Sequence, residues 1–407
     1  MSGAPILIAG GGLGGLSAAL GLGRAGIPVR VLEGAPEFGA IGYGIQLGPN
    51  VFPMFARIGV TEAVLEKSIF PDACVWLDAF TGEEVTRVPT LHSLRARFGN
   101  PYIVIHRIDL HNALLDACRR VPAIELVPDA QVTGFDDDGE HVHVRTADRR
   151  SFSGPLLIGA DGLRSVVRAQ LFGDTPPKPL GYVAHRTIVP MSDVPRGVNT
   201  GIVALWGGPG FHIVHYPLRN HTLFNIVAVF ETATYDRKGD LASYRAEIDR
   251  TYADAHPAMK ALLDIMDLER RWIIADRDPI RHWNSGRVTL LGDAAHPALQ
   301  TFAQGACMAI EDGVTLAAML AGSGSKIAAT LAAFSRVRHL RTARLQLESR
   351  RVWEDYHARD IARHVTMQIY RERSEKDMFD CLAWLYDGFE IPAGADRSAP
   401  QKWFASR

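Results

Sequence analysis

The chain has 407 residues, 47% of them hydrophobic and 22% charged, and its 44 Lys and Arg against 45 Asp and Glu leave a formal net charge of -1. This is globular composition with room for two or three core-sized units; it excludes a mini-protein and lacks the basic excess of a nucleic-acid binder. Cys74, Cys118, Cys307 and Cys381 form no CxxC pair, so neither a metal site nor a disulfide framework is expected, and a reducing cytoplasm fits best. The apolar start lacks the basic residues of a signal peptide, and no run of about 18 apolar residues suggests a membrane span.

In chain order, residues 5–9 read as a strand, 10–15 as a glycine turn, 16–25 as a helix and 29–32 as a second strand, which together make a βαβ unit. Residues 132–146 hold two strand-like runs around Asp-Asp-Asp-Gly, and 155–158 a short buried strand. Between 182 and 230, alternating runs broken by Pro-Arg-Gly, Gly-Gly-Pro-Gly and Arg-Asn-His predict a mostly antiparallel sheet. A strand at 288–291 and a helix over 305–320 return to nucleotide-binding character. Beyond the Gly-Ser-Gly-Ser stretch at Gly322 the chain is helical to Tyr386, and its many arginines are expected on a solvated face.

The expected fold is therefore α/β: a discontinuous Rossmann-like domain carrying an inserted, mostly antiparallel sheet, with C-terminal helices. The segments are 1–75, 106–180 and 277–330 for the nucleotide domain, 76–105 and 181–276 for the substrate domain, and 331–407 for the helical region.

Gly10-x-Gly12-x-x-Gly15 sits between strand and helix, with Glu33 closing the second strand. Gly10 permits the tight turn, Gly12 lets backbone amides approach a pyrophosphate, Gly15 allows close helix packing, and Glu33 would accept from the adenosine ribose. Leu13 and Gly14 belong to the same cofactor-lining turn. The fingerprint alone leaves NAD and FAD open. Two further strand-end turns bear on the choice, Asp161-Gly162 and Gly292-Asp293, each of which in isolation also reads as a helix-capping turn.

Taken in order, these three motifs resemble those of the single-component FAD-dependent aromatic hydroxylases, the para-hydroxybenzoate hydroxylase-like class, over nearly the whole chain. The resemblance implies that the Gly10 turn and Glu33 hold the ADP part of FAD, that Asp161 and Gly162 serve FAD and the nicotinamide, and that Gly292 and Asp293 bind the ribityl region. It also assigns Arg107 to FAD. No second GxGxxG with a suitable acid follows, in keeping with NADH or NADPH as a transient co-substrate.

Within the class, the strings from Phe38 to Asn50, His212 to Arg219 and His296 to Gln300 are most similar to 3-hydroxybenzoate 6-hydroxylases, and the salicylate 1-hydroxylases share much of them. Tyr43 departs from the small residue usual between two glycines beside the flavin.

The implied reaction captures O2 as a flavin C4a-hydroperoxide and needs an electron-rich phenolic ring, a base or acceptor near its hydroxyl, and a dry cavity. Alternation along 211–217 puts His212, Val214 and Tyr216 on one face and Ile213 and His215 on the other. His212 and Tyr216 are thus candidates for the phenolic hydroxyl, with His212 suited by a near-neutral pKa, and His215 is structural. Gln300 would orient a substrate hydroxyl or carboxylate; His296-Pro297 would bound the flavin loop; Gln304-Gly305 would open a helix whose amides face the reduced ring.

The expected substrate is a small aromatic acid, 3-hydroxybenzoate giving 2,5-dihydroxybenzoate. The alternatives are decarboxylating salicylate hydroxylation to catechol, or another aromatic or N-heteroaromatic acid. Rivals of another class are a reductase or halogenase without oxygen insertion and a non-catalytic FAD-binding protein. Ile361, Val365 and Ile369 at four-residue spacing would cover the core or form a homodimer interface.

Overall fold

The computed structural model describes residues 3–39, 42–173, 176–234, 241–322 and 326–392. Ala40 and Ile41 of the Phe38 to Asn50 string, Ser323 to Ser325 of the linker, and 393–407 of the C-terminal region lie outside the described residues.

The chain opens with β1 (Ile6–Ala9), α1 (Leu13–Arg24) and β2 (Val29–Leu32). It continues through β3 (Gly44–Leu47), β4 (Ala73–Asp78), β5 (Glu84–Pro89) and β6 (Ile103–His106), which runs directly into α2 (Arg107–Arg119). After β7 (Ile124–Val127), a three-stranded antiparallel layer spans Val132–Asp137, Val142–Thr146 and Ser151–Gly154. Next come β8 (Leu157–Gly159), α3 (Val166–Phe172), β9 (Lys178–Pro190), β10 (Val203–Gly208), β11 (Phe211–Leu218) and β12 (Leu223–Glu231). They are followed by α4 (Leu241–Thr251), α5 (Pro257–Asp264), β13 (Trp272–Asp276), β14 (Asn284–Ser285) and β15 (Val288–Leu290). Four helices finish the described chain: α6 (Gly305–Ala321), α7 (Ile327–His357), α8 (Asp360–Glu372) and α9 (Glu375–Tyr386).

The order β14-β15-β8-β1-β2-β7 makes a six-stranded sheet, parallel except at β14. Every residue of β1 is buried, as expected for a parallel strand covered on both faces. α1 begins at Leu13 rather than at Leu16: Leu16 N already donates to Gly12 O at 2.9 Å, so half of the glycine turn is the first helical turn. Helices α1 and α6 pack backbone against backbone. A Cβ at Gly313 would fall 2.6 Å from Gly14 O and 2.7 Å from Ala18 N, a spacing only glycine allows.

A second, seven-stranded sheet has the order β13-β9-β12-β11-β10-β4-β5, antiparallel except where β10 runs parallel to β4. Its two faces follow from the period-two alternation. His185, Ala228 and Ile213 share one face by register; there Ile213, Phe224, Ile226 and Phe230 pack on Tyr244, Ile248, Met259 and Leu262 of α4 and α5. The opposite face carries Arg186, Val227, Val214, Leu205 and Trp76 in one row, with His212 and Tyr216 in the flanking rows. This second face meets β3, the 292–304 loop and α7.

The arginines of α7 are not all solvated, contrary to expectation. Arg338 and Arg341 are fully buried, because α6 presents Glu311 and Asp312 to them. On α8, Ile361, Val365 and Ile369 are 74%, 52% and 48% exposed, so they do not cover the core of this chain.

Candidate active site

The first part of the site is the cleft at the carboxyl ends of β1, β8 and β15, the usual ligand position in an open α/β sheet. Gly10 has φ +105°, and a Cβ there would strike the Ala160 carbonyl, so only glycine closes this turn. Gly11 N donates to Glu33 Oε2 at 2.7 Å and Ala35 N to Glu33 Oε1 at 2.9 Å, which fixes the carboxylate at the tip of β2 with lone pairs to spare. His111 Nε2 meets Gly11 O at 2.8 Å and holds the same turn from α2; no sequence signal marked it.

The N-termini of α1 and α6 both lack a side-chain cap, so their first amides are left without intrahelical partners. A Cβ at Gly12 would meet nothing within 4 Å, which puts open space directly over the α1 amides. This pairing of an orphaned helix terminus with a glycine-lined opening suits a dinucleotide pyrophosphate.

Asp293, Arg107 and Gly305 meet on the far wall of the cleft. A Cβ on Gly305 would lie 3.8 Å from Asp293 Oδ1, and Arg107 acts electrostatically on Asp293. Solvent reaches Asp293 in the open cleft, yet the surrounding protein walls raise its carboxyl pKa by more than His296 and Arg107 lower it. Arg107 N bonds Tyr43 O at 2.8 Å, and the Tyr43 ring stands edge-on to Trp272 at 5.2 Å, so the unusual tyrosine bridges the flavin-side loop to the seven-stranded sheet.

Asp161 behaves differently from the other motif acids. Its carboxylate takes Ser165 Oγ at 2.5 Å, Val166 N at 2.8 Å and Val167 N at 3.1 Å, and so caps α3. Burial raises its pKa despite those bonds. The capping use is the one its carboxylate shows, while Gly162 (φ +76°) makes the turn and leaves open space beside it.

The second part is the face of the seven-stranded sheet that carries Arg186 and His212. Arg186 Nη2 donates to Gln300 Oε1 at 2.7 Å; Gln300 Nε2 lies 3.3 Å from His212 Nε2; His212 Nδ1 lies 2.8 Å from His357 Nε2. Hydrogen-bond polarity fixes the whole chain. Arginine only donates, so Gln300 must present its oxygen to Arg186 and its NH2 to His212. His212 Nε2 is then the unprotonated acceptor, and Nδ1–H donates to His357.

Burial, then His357, then Arg186 push the His212 pKa well below the ordinary imidazole value. This corrects the near-neutral expectation: His212 is a neutral ring locked in one tautomer, its lone pair on Nε2. His357, likewise depressed to about 3 by burial, was not legible from sequence. His215, on the other face, accepts from Trp206 Nε1 at 3.0 Å and is structural.

Tyr216 shares the His212 face but turns towards β3. Gln46 acts on its hydroxyl and takes Tyr102 OH on Oε1 at 2.5 Å, and the Tyr216 ring fills the space a Cβ at Gly44 would occupy. Burial pushes its phenol pKa up. His212, Val214 and Gln300 line a cleft of about 2160 Å³ whose inner wall is apolar, with Val203, Leu205 and Trp76, and whose outer end reaches Leu340, Leu347 and Arg351 on α7.

Both parts hang on one buried ionic cluster. Arg338 bonds Asp312 Oδ1 and Glu311 Oε2, each at 2.7 Å; Arg341 bonds both Glu311 oxygens at 2.9 Å and the Trp384 and Leu385 carbonyls. Asp312 Oδ2 accepts from Gly292 N at 2.9 Å and His296 Nε2 at 2.5 Å. Gln346 Nε2 from α7 bonds Pro297 O at 2.9 Å. Helices α6 and α7 thereby set the loop that carries Gly292, Asp293, Pro297 and Gln300.

Residues 3–349 match the family of FAD binding domains, and the chain belongs to that family. Within it the protein is an FAD-dependent aromatic-ring monooxygenase, with FAD as cofactor and NAD(P)H as co-substrate. It is 41% identical over 382 residues to 3-hydroxybenzoate 6-hydroxylase of Polaromonas naphthalenivorans (strain CJ2), covering 94% of this chain and 95% of that one. It is 39% identical over 380 residues to the Klebsiella oxytoca enzyme of the same name, covering 93% and 96%. Among solved structures, Klebsiella pneumoniae HpxO complexed with FAD and uric acid aligns with TM-score 0.82 at 27% identity, covering 93% of this chain and 95% of that one. Among the described residues no helix is long and apolar enough to cross a membrane.

Proposed function

We propose that this protein hydroxylates 3-hydroxybenzoate para to its hydroxyl, giving 2,5-dihydroxybenzoate, with NADH as reductant. The carrying observation is the neutral, tautomer-locked His212, whose Nε2 lone pair lies at the inner end of an apolar cleft. The 41% identity to a 3-hydroxybenzoate 6-hydroxylase supports the substrate.

Bound FAD supplies hydride acceptance and oxygen activation. The chain holds it: the α1 amides and Glu33 take the ADP end, while Asp293, Arg107 and the α6 terminus at Gly305 take the ribityl and ring end. His212 Nε2 accepts the phenolic proton in a hydrogen bond, which raises electron density on the ring carbon para to the oxygen. Because its pKa is depressed, His212 is ready to accept throughout the neutral range and needs no prior deprotonation. Gln300, clamped by Arg186, can turn its NH2 from His212 to the ligand oxygen. Val203, Leu205 and Val214 shield the reacting carbon from water.

Use of NADH supports a cytoplasmic location, and the apolar stripe of α8 supports a homodimer. The test is NADH oxidation by FAD-loaded protein with 3-hydroxybenzoate, salicylate and 4-hydroxybenzoate, with oxygen uptake and product identified together. Formation of 2,5-dihydroxybenzoate from 3-hydroxybenzoate is expected. Catechol and CO2 from salicylate, or no stimulation by any of the three, would refute it.

A further inference from the structure

We infer that Arg186 is the residue that selects a carboxylate on the substrate. The inference rests on the phenolic-acid reading above and names the group that reads its acid end. Arg186 stands on β9 in the same row as Val227 and Val214, on the sheet face that carries His212. Among the described residues its one protein hydrogen bond is Nη2 to Gln300 Oε1 at 2.7 Å, and no ion pair with a described carboxylate reaches it.

The ionisable groups that act on it are Tyr216, Arg107 and Tyr43, and none is a carboxylate. The two fully buried arginines of α7, by contrast, are neutralised: Arg338 by Asp312 and Glu311, Arg341 by Glu311. A guanidinium pressed into a protein wall without an anion is costly unless a ligand supplies one. Arg186 stays charged at neutral pH and keeps further N–H donors in the fork geometry that matches a carboxylate.

Its placement also sets the ligand's size. Arg186 and His212 touch opposite ends of a single glutamine amide, so a molecule that gives a hydroxyl to His212 and an anion to Arg186 must be small and carry the two groups close together. Arg107, the other cation that acts on Arg186, lies with Asp293 at the cofactor wall, whereas Gln300, which Arg186 clamps, lines the cleft beside His212.

The experiment compares 3-hydroxybenzoate with its uncharged analogue 3-hydroxybenzamide, binding each to oxidised, FAD-loaded enzyme and reading the flavin absorbance change without turnover. Wild type should bind the acid about 10- to 100-fold more tightly than the amide, the range for a charge-assisted hydrogen bond. In Arg186→Gln that preference should vanish through weaker binding of the acid, with the amide little changed; Arg186→Lys, which keeps the charge, should retain part of it.

If Arg186→Gln keeps the wild-type preference, or weakens acid and amide equally, or releases FAD, the cation serves the flavin or the fold and the inference is overturned. If wild type shows no flavin response to any phenolic acid, the underlying functional reading fails first and takes the inference with it.

Discussion

Replacing Glu311 with Gln isolates the electrostatic worth of the buried cluster, because the side chains have nearly the same shape and no cavity forms. Glu311 and Asp312 balance Arg338 and Arg341 inside a fully buried site, and both Glu311 oxygens are occupied, by Asn50 Nδ2 at 2.8 Å and by three guanidinium contacts of 2.7 to 2.9 Å. The glutamine keeps one acceptor but turns an NH2 towards a guanidinium, leaving one positive charge without a partner. Breaking a buried pair by removing one member costs about 3–5 kcal/mol.

Burial alone would raise the Glu311 pKa, but Arg341 and Arg338 more than offset it and hold the carboxyl below its usual range. A carboxyl depressed on folding stabilises above its unfolded pKa of about 4.3 and loses that contribution as pH falls. The deficit of Glu311→Gln should therefore be full at pH 7 and shrink in acid. Urea unfolding followed by tryptophan fluorescence, on FAD-loaded protein at pH 7 and pH 4, reads it. A loss under about 1 kcal/mol at pH 7, or one that grows in acid, would refute the assignment.

Other consequences follow from the same geometry. His212→Asn should lower kcat/KM for the phenolic acid by about 10²- to 10⁴-fold while FAD content is unchanged, as expected for loss of a positioned proton acceptor; undiminished turnover would remove His212 from the chemistry. His215 and His357, both held near 3 by burial, stay neutral when folded, so the unfolded chain takes up protons first as pH drops below about 6.5. Stability should fall from there towards pH 3, by about 2 kcal/mol per histidine at pH 5; a flat profile between pH 7 and 5 in thermal melts would contradict their burial as neutral rings. Val365→Asp on the exposed stripe of α8 should halve the mass seen by light scattering, and a wild type that runs as a monomer would sink the dimer reading.

The sequence by itself determined the parts of this protein that are local. A run such as Ile6–Ala9, a turn that only glycine can close at Gly10, and an acid at the end of the next strand encode their geometry within a few dozen residues, because backbone sterics and strand alternation act at that range. Alternation along Phe211–Leu218 separated His212 from His215 correctly for the same reason, although it could not say which face the helices would cover.

Tertiary structure decided the rest. Arg186 lies 114 residues from Gln300, and His357 lies 145 from His212, so neither partner announces itself in a local pattern. The buried state of Arg338 and Arg341 depends on Glu311 and Asp312 arriving from another helix, and by composition those arginines read as solvated. The near-neutral pKa assigned to His212 failed because a pKa is a property of surroundings: burial and two neighbouring groups, all supplied by distant segments, set its protonation and tautomer.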